Sequence, residues 1–145
     1  MTLNHPFLAG PPDDRSRPWR VITDGSRTSG IGFGDARISP GAPGPGRHVH
    51  THEDEAIYVI SGVLTVEVGD QRYEAGPESL VWLPRGVPHI FANLGEEEVR
   101  HRRSVQLRGA GRDVRRAGCV LLRSHRPSRP SGPPRHQSAS RRTPG

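Results

Sequence analysis

The chain of 145 residues has no lysine, one cysteine and few aromatic side chains. The single cysteine, Cys119, excludes an intramolecular disulfide and a metal site built from several thiolates. Aromatic residues amount to 5% and hydrophobic residues to 31%, which is little apolar material for a chain of this length. We therefore expect a compact folded part accompanied by segments that lie outside it.

Long apolar runs are absent as well. No stretch approaches the roughly 18 consecutive apolar residues that indicate a membrane-spanning helix. The amino-terminal residues also lack the basic start and the apolar stretch of a secretory signal. These absences predict a cytoplasmic protein that has no membrane partner.

Acidic residues are nearly absent from the last third of the chain. Residues 1–98 carry a net charge of −6, whereas residues 99–145 carry +12. The arginines of the basic part can neutralise phosphates, but no aromatic side chain follows Phe91 to stack on bases, so nucleic acid is disfavoured as a partner. Residues 109–145 are mostly Arg, Pro, Ser and Gly, and this composition cannot offset the entropy of ordering. We expect a disordered tail there.

Short β-prone segments dominate the rest of the chain. Runs of β-branched and aromatic residues are separated by turn residues, and no helical period is visible. This pattern predicts an all-β fold, a small antiparallel β-barrel or jelly roll. We place an extended segment at residues 1–29, the barrel at residues 30–108 and the tail at residues 109–145. The predicted strands are residues 19–22, 31–38, 56–60, 63–68, 71–74, 80–83 and 89–92.

Histidines alternate along one part of the predicted barrel. His48, His50 and His52 occupy every second position, and residues two apart on a strand point to the same face. Two imidazoles on one face, joined by the Glu55 carboxylate, can hold one divalent transition metal, either Fe, Mn, Ni, Co, Cu or Zn. His89 follows the rigid turn PRGVP and can supply a fourth ligand. A ligand pair shifted to His50 and His52 is an open alternative at this point.

The residues around these candidates have simpler interpretations. Glu53 and Asp54 are expected to be charges on the rim of the barrel, and His52 to be exposed at its mouth. Three aromatic residues are expected in the barrel lining or the core: Tyr58, Trp82 and Phe91. Four isolated histidines are given no role: His5, His101, His125 and His136.

Two groups of residues resemble the paired motifs of the cupin family. The first group consists of His48, His50, Glu55 and Gly62, and the second of Pro84, Gly86, His89 and Asn93. The shifted pair His50/His52 would leave two residues instead of four before Glu55, which breaks the family spacing. The resemblance covers about residues 36–95 and implies a β-barrel that binds one metal. Its family ligands fall on His48, His50, Glu55 and His89.

The resemblance implies a class of function without naming a substrate. Likeness to the small cupins of the quercetin dioxygenase group implies an oxidoreductase, a dioxygenase acting on an aromatic or enol substrate. The alternatives are a metal-dependent isomerase, decarboxylase or lyase, and a non-catalytic module that binds or senses a small ligand, because fold alone does not decide. Glu55 is also a candidate general base, because burial can raise the pKa of a carboxyl group. The family further implies a homodimer.

The segment after Asn93 departs from the family, where a further alternating strand closes the barrel. Here the alternation is faint and the chain becomes rich in arginine. A lysine-free chain rich in Arg, Gly and Pro is typical of a GC-rich gene, and out-of-frame reading of such DNA gives a similar composition. We hypothesise a change of reading frame near residues 99–103, with an ordinary disordered tail as the alternative. Loss of the closing strand would leave an unpaired sheet edge.

Overall fold

The computed structural model describes residues 6–11, 16–25, 28, 30–107 and 119–122. These residues form β-strands and turns, and within them no helix is long and apolar enough to cross a membrane. The strands are β1 (Trp19–Asp24), β2 (Ile31–Ile38), β3 (His48–His50), β4 (Glu53–Ser61), β5 (Leu64–Val68), β6 (Gln71–Ala75), β7 (Leu80–Leu83), β8 (His89–Ala92), β9 (Val99–Leu107) and β10 (Cys119–Leu121).

The strands make two antiparallel sheets of five. The first has the order β1-β2-β9-β4-β7 and the second the order β10-β3-β8-β5-β6. Each sheet mixes strands from distant parts of the sequence, as β9 lies between β2 and β4 and β8 lies between β3 and β5. The predicted all-β antiparallel fold is confirmed.

The core lies between the two sheets and follows the alternation of the strands. In β4, Ile57 and Val59 are fully buried while Tyr58 between them is exposed. Burying each such side chain contributes about 1.5–3 kcal/mol. The expectation that Tyr58 and Trp82 line the barrel is wrong, because both point outward, whereas Phe91 belongs to the core as predicted. The other core residues are Ile38, Leu64, Val66, Ala75, Val81, Leu83 and Val99.

Strand β9 corrects the expectation that the closing strand is missing. It pairs with β2 from Val99 to Gln106 and with β4 along nearly its whole length, so it occupies the middle of its sheet. Strand partners on both sides supply the backbone hydrogen bonds, and this tertiary context outweighs the weak β-propensity of a segment rich in arginine. A frame change near residues 99–103 has no support in this pairing.

Two further segments join the sheets. In the predicted tail, Cys119–Leu121 pairs antiparallel with β3, so the prediction of disorder is wrong for these three residues. The rest of residues 109–145, except Leu122, lies outside the described part of the chain. Strand β1, within the predicted extended segment, pairs with β2. The domain boundaries at residues 29 and 108 stay predictions.

The loop between β8 and β9 is held by Asn93, a buried residue of the second motif. Its side-chain Nδ2 donates to the carbonyls of Ile38 at 2.9 Å and Glu97 at 2.7 Å, and its Oδ1 accepts from Gly95 N at 3.0 Å. Gly62 of the first motif has a φ of 76°, and a Cβ there would lie 2.7 Å from the Glu98 carbonyl oxygen. Both motif residues therefore fix the path of the chain into β9.

Candidate metal centre

Four buried side chains converge inside the barrel: His48, His50, Glu55 and His89. One potential ligand atom from each lies within 4.8 Å of those from the other three. The imidazole centroids are 4.4–5.4 Å apart, and the closest pair is His48 with His89. The structure thus brings together the four residues that the sequence singled out.

The two sheets supply these side chains from three strands. His48 and His50 point to the same face of β3, and His48 lies opposite His89 of β8 in the same sheet. Glu55 comes from β4 in the facing sheet. The centre therefore depends on the packing of one sheet on the other, which the local spacing of the histidines cannot provide alone.

Backbone carbonyls orient two of the imidazoles. His48 Nδ1 lies 2.8 Å from the Gly46 carbonyl oxygen, and His89 Nδ1 lies 3.0 Å from that of Val87. A nitrogen that donates to a carbonyl carries the proton, so the neutral ring presents the lone pair of its Nε2. His89 Nε2 is buried and has no hydrogen-bond partner. Such an unsatisfied acceptor within a cluster of ligands is what a bound cation would satisfy.

The turn before β8 is clamped to the neighbouring strands and so places His89. The Arg85 guanidinium donates two hydrogen bonds to the Asp54 carboxylate, at 2.6 and 3.1 Å, and the Arg85 backbone N–H donates a third at 3.1 Å. Gly86, at a φ of 75°, donates its N–H to the His50 carbonyl at 2.8 Å. The expectation that Asp54 is a rim charge is wrong, because it is buried under this clamp.

His50 lies between two buried carboxylates. Its Nε2 is 2.9 Å from Glu55 Oε2, and its Nδ1 is 3.5 Å from Glu53 Oε2. The two carboxylates therefore approach the ring from its two nitrogens. The expectation that Glu53 is a rim charge is therefore wrong, since only 1% of it is exposed. Its position two residues before Glu55, on the same face of the strand, was the available signal.

The pKa values of two members of the cluster, Glu55 and His48, are shifted in the direction that suits metal ligands. Burial, the largest single influence, raises the pKa of Glu55, but the adjacent His50 and His89 rings, 2.9 and 3.5 Å from its Oε2, and the charge of Arg103 outweigh it and bring that pKa down to about 2. The pKa of Glu55 is thus lowered and not raised, and its role as a general base stays a prediction. Burial also lowers the pKa of His48. An ionised carboxylate and neutral imidazoles are the forms that bind metals.

Arg103 is the residue of this region that the sequence did not reveal. Its Nε lies 3.4 Å from Glu55 Oε1, on the side of the carboxylate away from the imidazoles. Its guanidinium also lies 4.6 Å from the centre of the Trp19 ring of β1, a cation–π contact. Arg103 sits in the segment where a frame change was suspected, and the sequence pattern there gave no reason to assign it a role.

The remaining histidines lie elsewhere. His52 is exposed and its ring contacts the Thr51 hydroxyl, so the alternative ligand pair His50/His52 is not the one that converges with Glu55. His101, to which no role was assigned, is buried in β9 beside the Phe91 ring. Three histidines lie outside the described residues: His5, His125 and His136.

Burial of His101 makes the metal-free protein sensitive to acid. Burial and the nearby charge of Arg103 lower the pKa of His101 from 6.5 to about 4. Between these values the unfolded chain binds a proton that the folded chain does not, so stability falls as the pH is lowered. We expect the free energy of unfolding to drop by about 2 kcal/mol more from pH 7.5 to pH 5 in the native protein than in His101→Leu. Urea titrations in the presence of chelator measure this difference, and equal losses in both proteins would contradict it.

The donor set of three imidazoles and one carboxylate fits a divalent transition metal. The donor types do not select among Fe, Mn, Ni, Co, Cu and Zn.

Comparison with known proteins identifies the fold. The family model for the cupin domain matches residues 34–101. A solved structure of a proposed sugar phosphate isomerase from Acidithiobacillus ferrooxidans is 27% identical, with a TM-score of 0.54 over 61% of this chain and 57% of that one. Oxalate oxidase is 21% identical, with a TM-score of 0.56 over 79% of this chain and 60% of that one.

A curated relative is the polyketide synthase protein CurC of Streptomyces cyaneus, 30% identical over 53 residues. The match spans 37% of this chain and 34% of that protein, so the chain corresponds to about a third of its relative. The family match and the solved structures agree with the two-sheet fold. The part of this chain at residues 34–101 is a small cupin domain.

Proposed function

We propose that this protein binds one divalent transition metal through His48, His50, Glu55 and His89 and is a dioxygenase for a small aromatic or enol substrate. The observation that carries the proposal is the convergence of four buried ligand atoms within 4.8 Å of one another. A divalent metal held there supplies a Lewis acid and, with a redox-active ion, chemistry with O₂. The lowered pKa values of Glu55 and His48 favour the ionised carboxylate and the neutral imidazole that this binding needs.

Arg103 supports an anionic substrate. Its side chain is 26% exposed, so it connects the ligand Glu55 with the solvent side of the barrel. A fixed positive charge at the edge of a site stabilises negative charge that develops on a bound molecule. An enol that binds as its enolate is a substrate of this kind. Glu55, with a pKa of about 2, stays ionised and serves as a ligand.

The comparisons support a substrate rich in carbonyl groups. The relative CurC is named as a polyketide synthase protein, and polyketide chains contain 1,3-dicarbonyl units that enolise readily. The solved relative at 27% identity is described as a proposed sugar phosphate isomerase, which favours metal-assisted isomerisation as the second candidate function. Both reactions begin with an oxygen-bearing substrate next to a metal.

Oxygen uptake and proton exchange separate these functions. The protein is reconstituted anaerobically with Fe(II), Mn(II), Ni(II) or Zn(II) and supplied with flavonols, 1,3-diketones and enediols. O₂ uptake that His50→Ala abolishes supports the dioxygenase. Exchange of the substrate's α-hydrogen in D₂O without O₂ uptake supports the isomerase instead. Neither signal with any metal would leave a non-catalytic, ligand-binding cupin and would refute the proposed enzyme.

Removing Arg103 should weaken metal binding although Arg103 is not a ligand. The Arg103→Gln variant loses the cation that holds Glu55 Oε1, and loss of such an outer partner typically costs about tenfold or more in metal affinity. Competition with a fluorescent chelator measures the dissociation constant.

The control for this variant is Arg72→Gln, which removes an equal charge from an ion pair with Glu74 on the other sheet. It should leave metal affinity unchanged, and Arg103→Lys should restore part of the loss. Equal affinities in Arg103→Gln and Arg72→Gln would show that Arg103 does not position the ligand.

The association state and the location of the protein stay predictions. We propose a homodimer in the cytoplasm that binds a small molecule. Two large side chains of the edge strand β7, Leu80 and Trp82, are exposed. They support self-association because aromatic side chains are enriched in protein interfaces and the cores of interfaces are apolar. Light scattering after size-exclusion chromatography tests it, and a monomer at high concentration would rule the dimer out.

A further inference from the structure

The outer face of the first sheet carries a cleft with a volume of about 340 Å³. It lies over β1, β2 and β9 and is walled on one side by residues 9–11. The charged side chains that line it are five arginines and one carboxylate: Arg17, Arg20, Arg37, Arg100, Arg102 and Asp35. A concave surface with such an excess of positive charge attracts anions.

The pairing of the strands surrounds the carboxylate with cations. Asp35 lies directly opposite Arg20 of β1 and directly opposite Arg102 of β9. Side chains at such positions point to the same face, with Cβ atoms about 4.5–5.5 Å apart. Arg37 and Arg100 form the next row, and Arg37 has Glu98 4.0 Å away. Within the described residues these two rows contain four guanidinium groups, those of Arg20, Arg37, Arg100 and Arg102, and two carboxylates, those of Asp35 and Glu98.

Two buried polar atoms of the cleft have no hydrogen-bond partner. They are Arg100 Nε, a donor, and Asp35 Oδ1, an acceptor. Buried polar groups are normally satisfied, so this donor and this acceptor favour a polar molecule bound in the cleft. That molecule must accept hydrogen bonds from guanidinium groups and donate one to a carboxylate.

We propose that this cleft binds a phosphate group that keeps a hydroxyl hydrogen. The arginines donate charge-assisted hydrogen bonds to the phosphate oxygens, and Asp35 accepts the P–OH hydrogen. Free hydrogen phosphate and a singly protonated phosphate monoester share this chemistry. Sulfate, which has no hydrogen near neutral pH, would set an oxygen against the Asp35 carboxylate.

The phosphate site is separate from the metal centre. Along β9, Arg100 and Arg102 line the outer cleft, whereas His101 is buried and Arg103 contacts Glu55 inside the barrel. The two sites therefore occupy opposite faces of one strand. Phosphate binding can fail while metal binding persists, and the reverse also holds.

Calorimetric titration of the full-length protein tests the proposal at pH 7 and 150 mM NaCl, where long-range attraction is screened. We expect inorganic phosphate to bind at one site per chain and about tenfold more tightly than sulfate, because phosphate makes one more hydrogen bond to a charged group.

Arg20→Gln combined with Arg102→Gln should weaken phosphate binding about tenfold or more. Asp35→Asn should remove the preference over sulfate, because the amide can donate to either anion. Glycerol phosphate in a parallel titration shows whether the monoester or the free ion binds more tightly.

Arg72→Gln is the control, because it removes one positive charge on the other sheet. The proposal would be overturned if the Arg20/Arg102 double variant bound phosphate as tightly as the native protein does. The anion would then be held elsewhere, for example by the arginines after residue 107. Equal affinity of the native protein for phosphate and sulfate would also overturn it. That second comparison needs no variant and holds even if a substitution impairs folding.

Discussion

We expect the His50→Ala protein to bind no stoichiometric metal, while His52→Ala binds one equivalent of metal per chain like the native protein. His50 is buried within the cluster, 2.9 Å from Glu55, and His52 is exposed two residues later. Both substitutions remove one imidazole from neighbouring positions of the chain. Only the first removes a ligand.

Metal analysis by mass spectrometry after loading and desalting measures the stoichiometry. The affinity of His50→Ala should fall by at least about 100-fold, because a missing ligand removes far more than the 10–100-fold effect of an outer partner. Circular dichroism confirms that both variants keep their strands. Equal loss of metal in the two variants would mean that the shifted ligand pair, or another site, holds the metal.

The second large effect is on stability. The metal binds the folded protein and not the unfolded one, so metal at 1,000 times its dissociation constant should add about 4 kcal/mol to the free energy of unfolding. For a domain of this size the midpoint of thermal unfolding should rise by roughly 20 °C. The reason is local: the cluster packs three imidazoles and an anionic carboxylate together, and a cation compensates their mutual burial.

Thermal unfolding followed with metal, and then with excess chelator, checks this expectation. Glu55→Gln is the matched control, because it keeps the side-chain volume but removes the charge of the ligand, and its melting curve should not respond to metal. A native protein whose midpoint is the same with metal and with chelator would contradict the account.

The ligands were predictable from the sequence because their signal is local. Alternation along β3 puts His48 and His50 on one face, and the turn PRGVP sets the start of β8 at His89. Each pattern needs only a few neighbouring residues. Gly62 and Asn93 were identified as motif residues through the resemblance to the cupin family, and the structure shows what each does: Gly62 has a positive φ, and Asn93 binds the Ile38 carbonyl.

The parts that escaped prediction depend on contacts between distant segments. Strand β9 has weak alternation, and its place between β2 and β4 comes from pairing with strands about 40–70 residues away in sequence. Arg103 contacts Glu55 only as a result of that pairing. Strand β10 likewise exists because β3 offers it an edge. Composition described these segments correctly as basic and poor in apolar residues. It carries no information on whether a neighbouring strand is available for pairing.

The barrel carries functional groups on two faces of one strand, and the arginine-rich composition of β9 serves both. Inward, Arg103 braces a metal ligand, and outward, Arg100 and Arg102 face the phosphate cleft. The arginine-rich composition that led to the hypothesis of a frame change therefore contributes charges to both proposed sites.

The most direct test of the central claim is X-ray absorption spectroscopy at the zinc edge of full-length protein loaded with one equivalent of Zn(II). The account predicts a first shell of three imidazole nitrogens at about 2.0–2.1 Å together with one carboxylate oxygen, and loss of one imidazole in His89→Ala. A shell made mostly of water oxygens, or one that His89→Ala leaves unchanged, would contradict it.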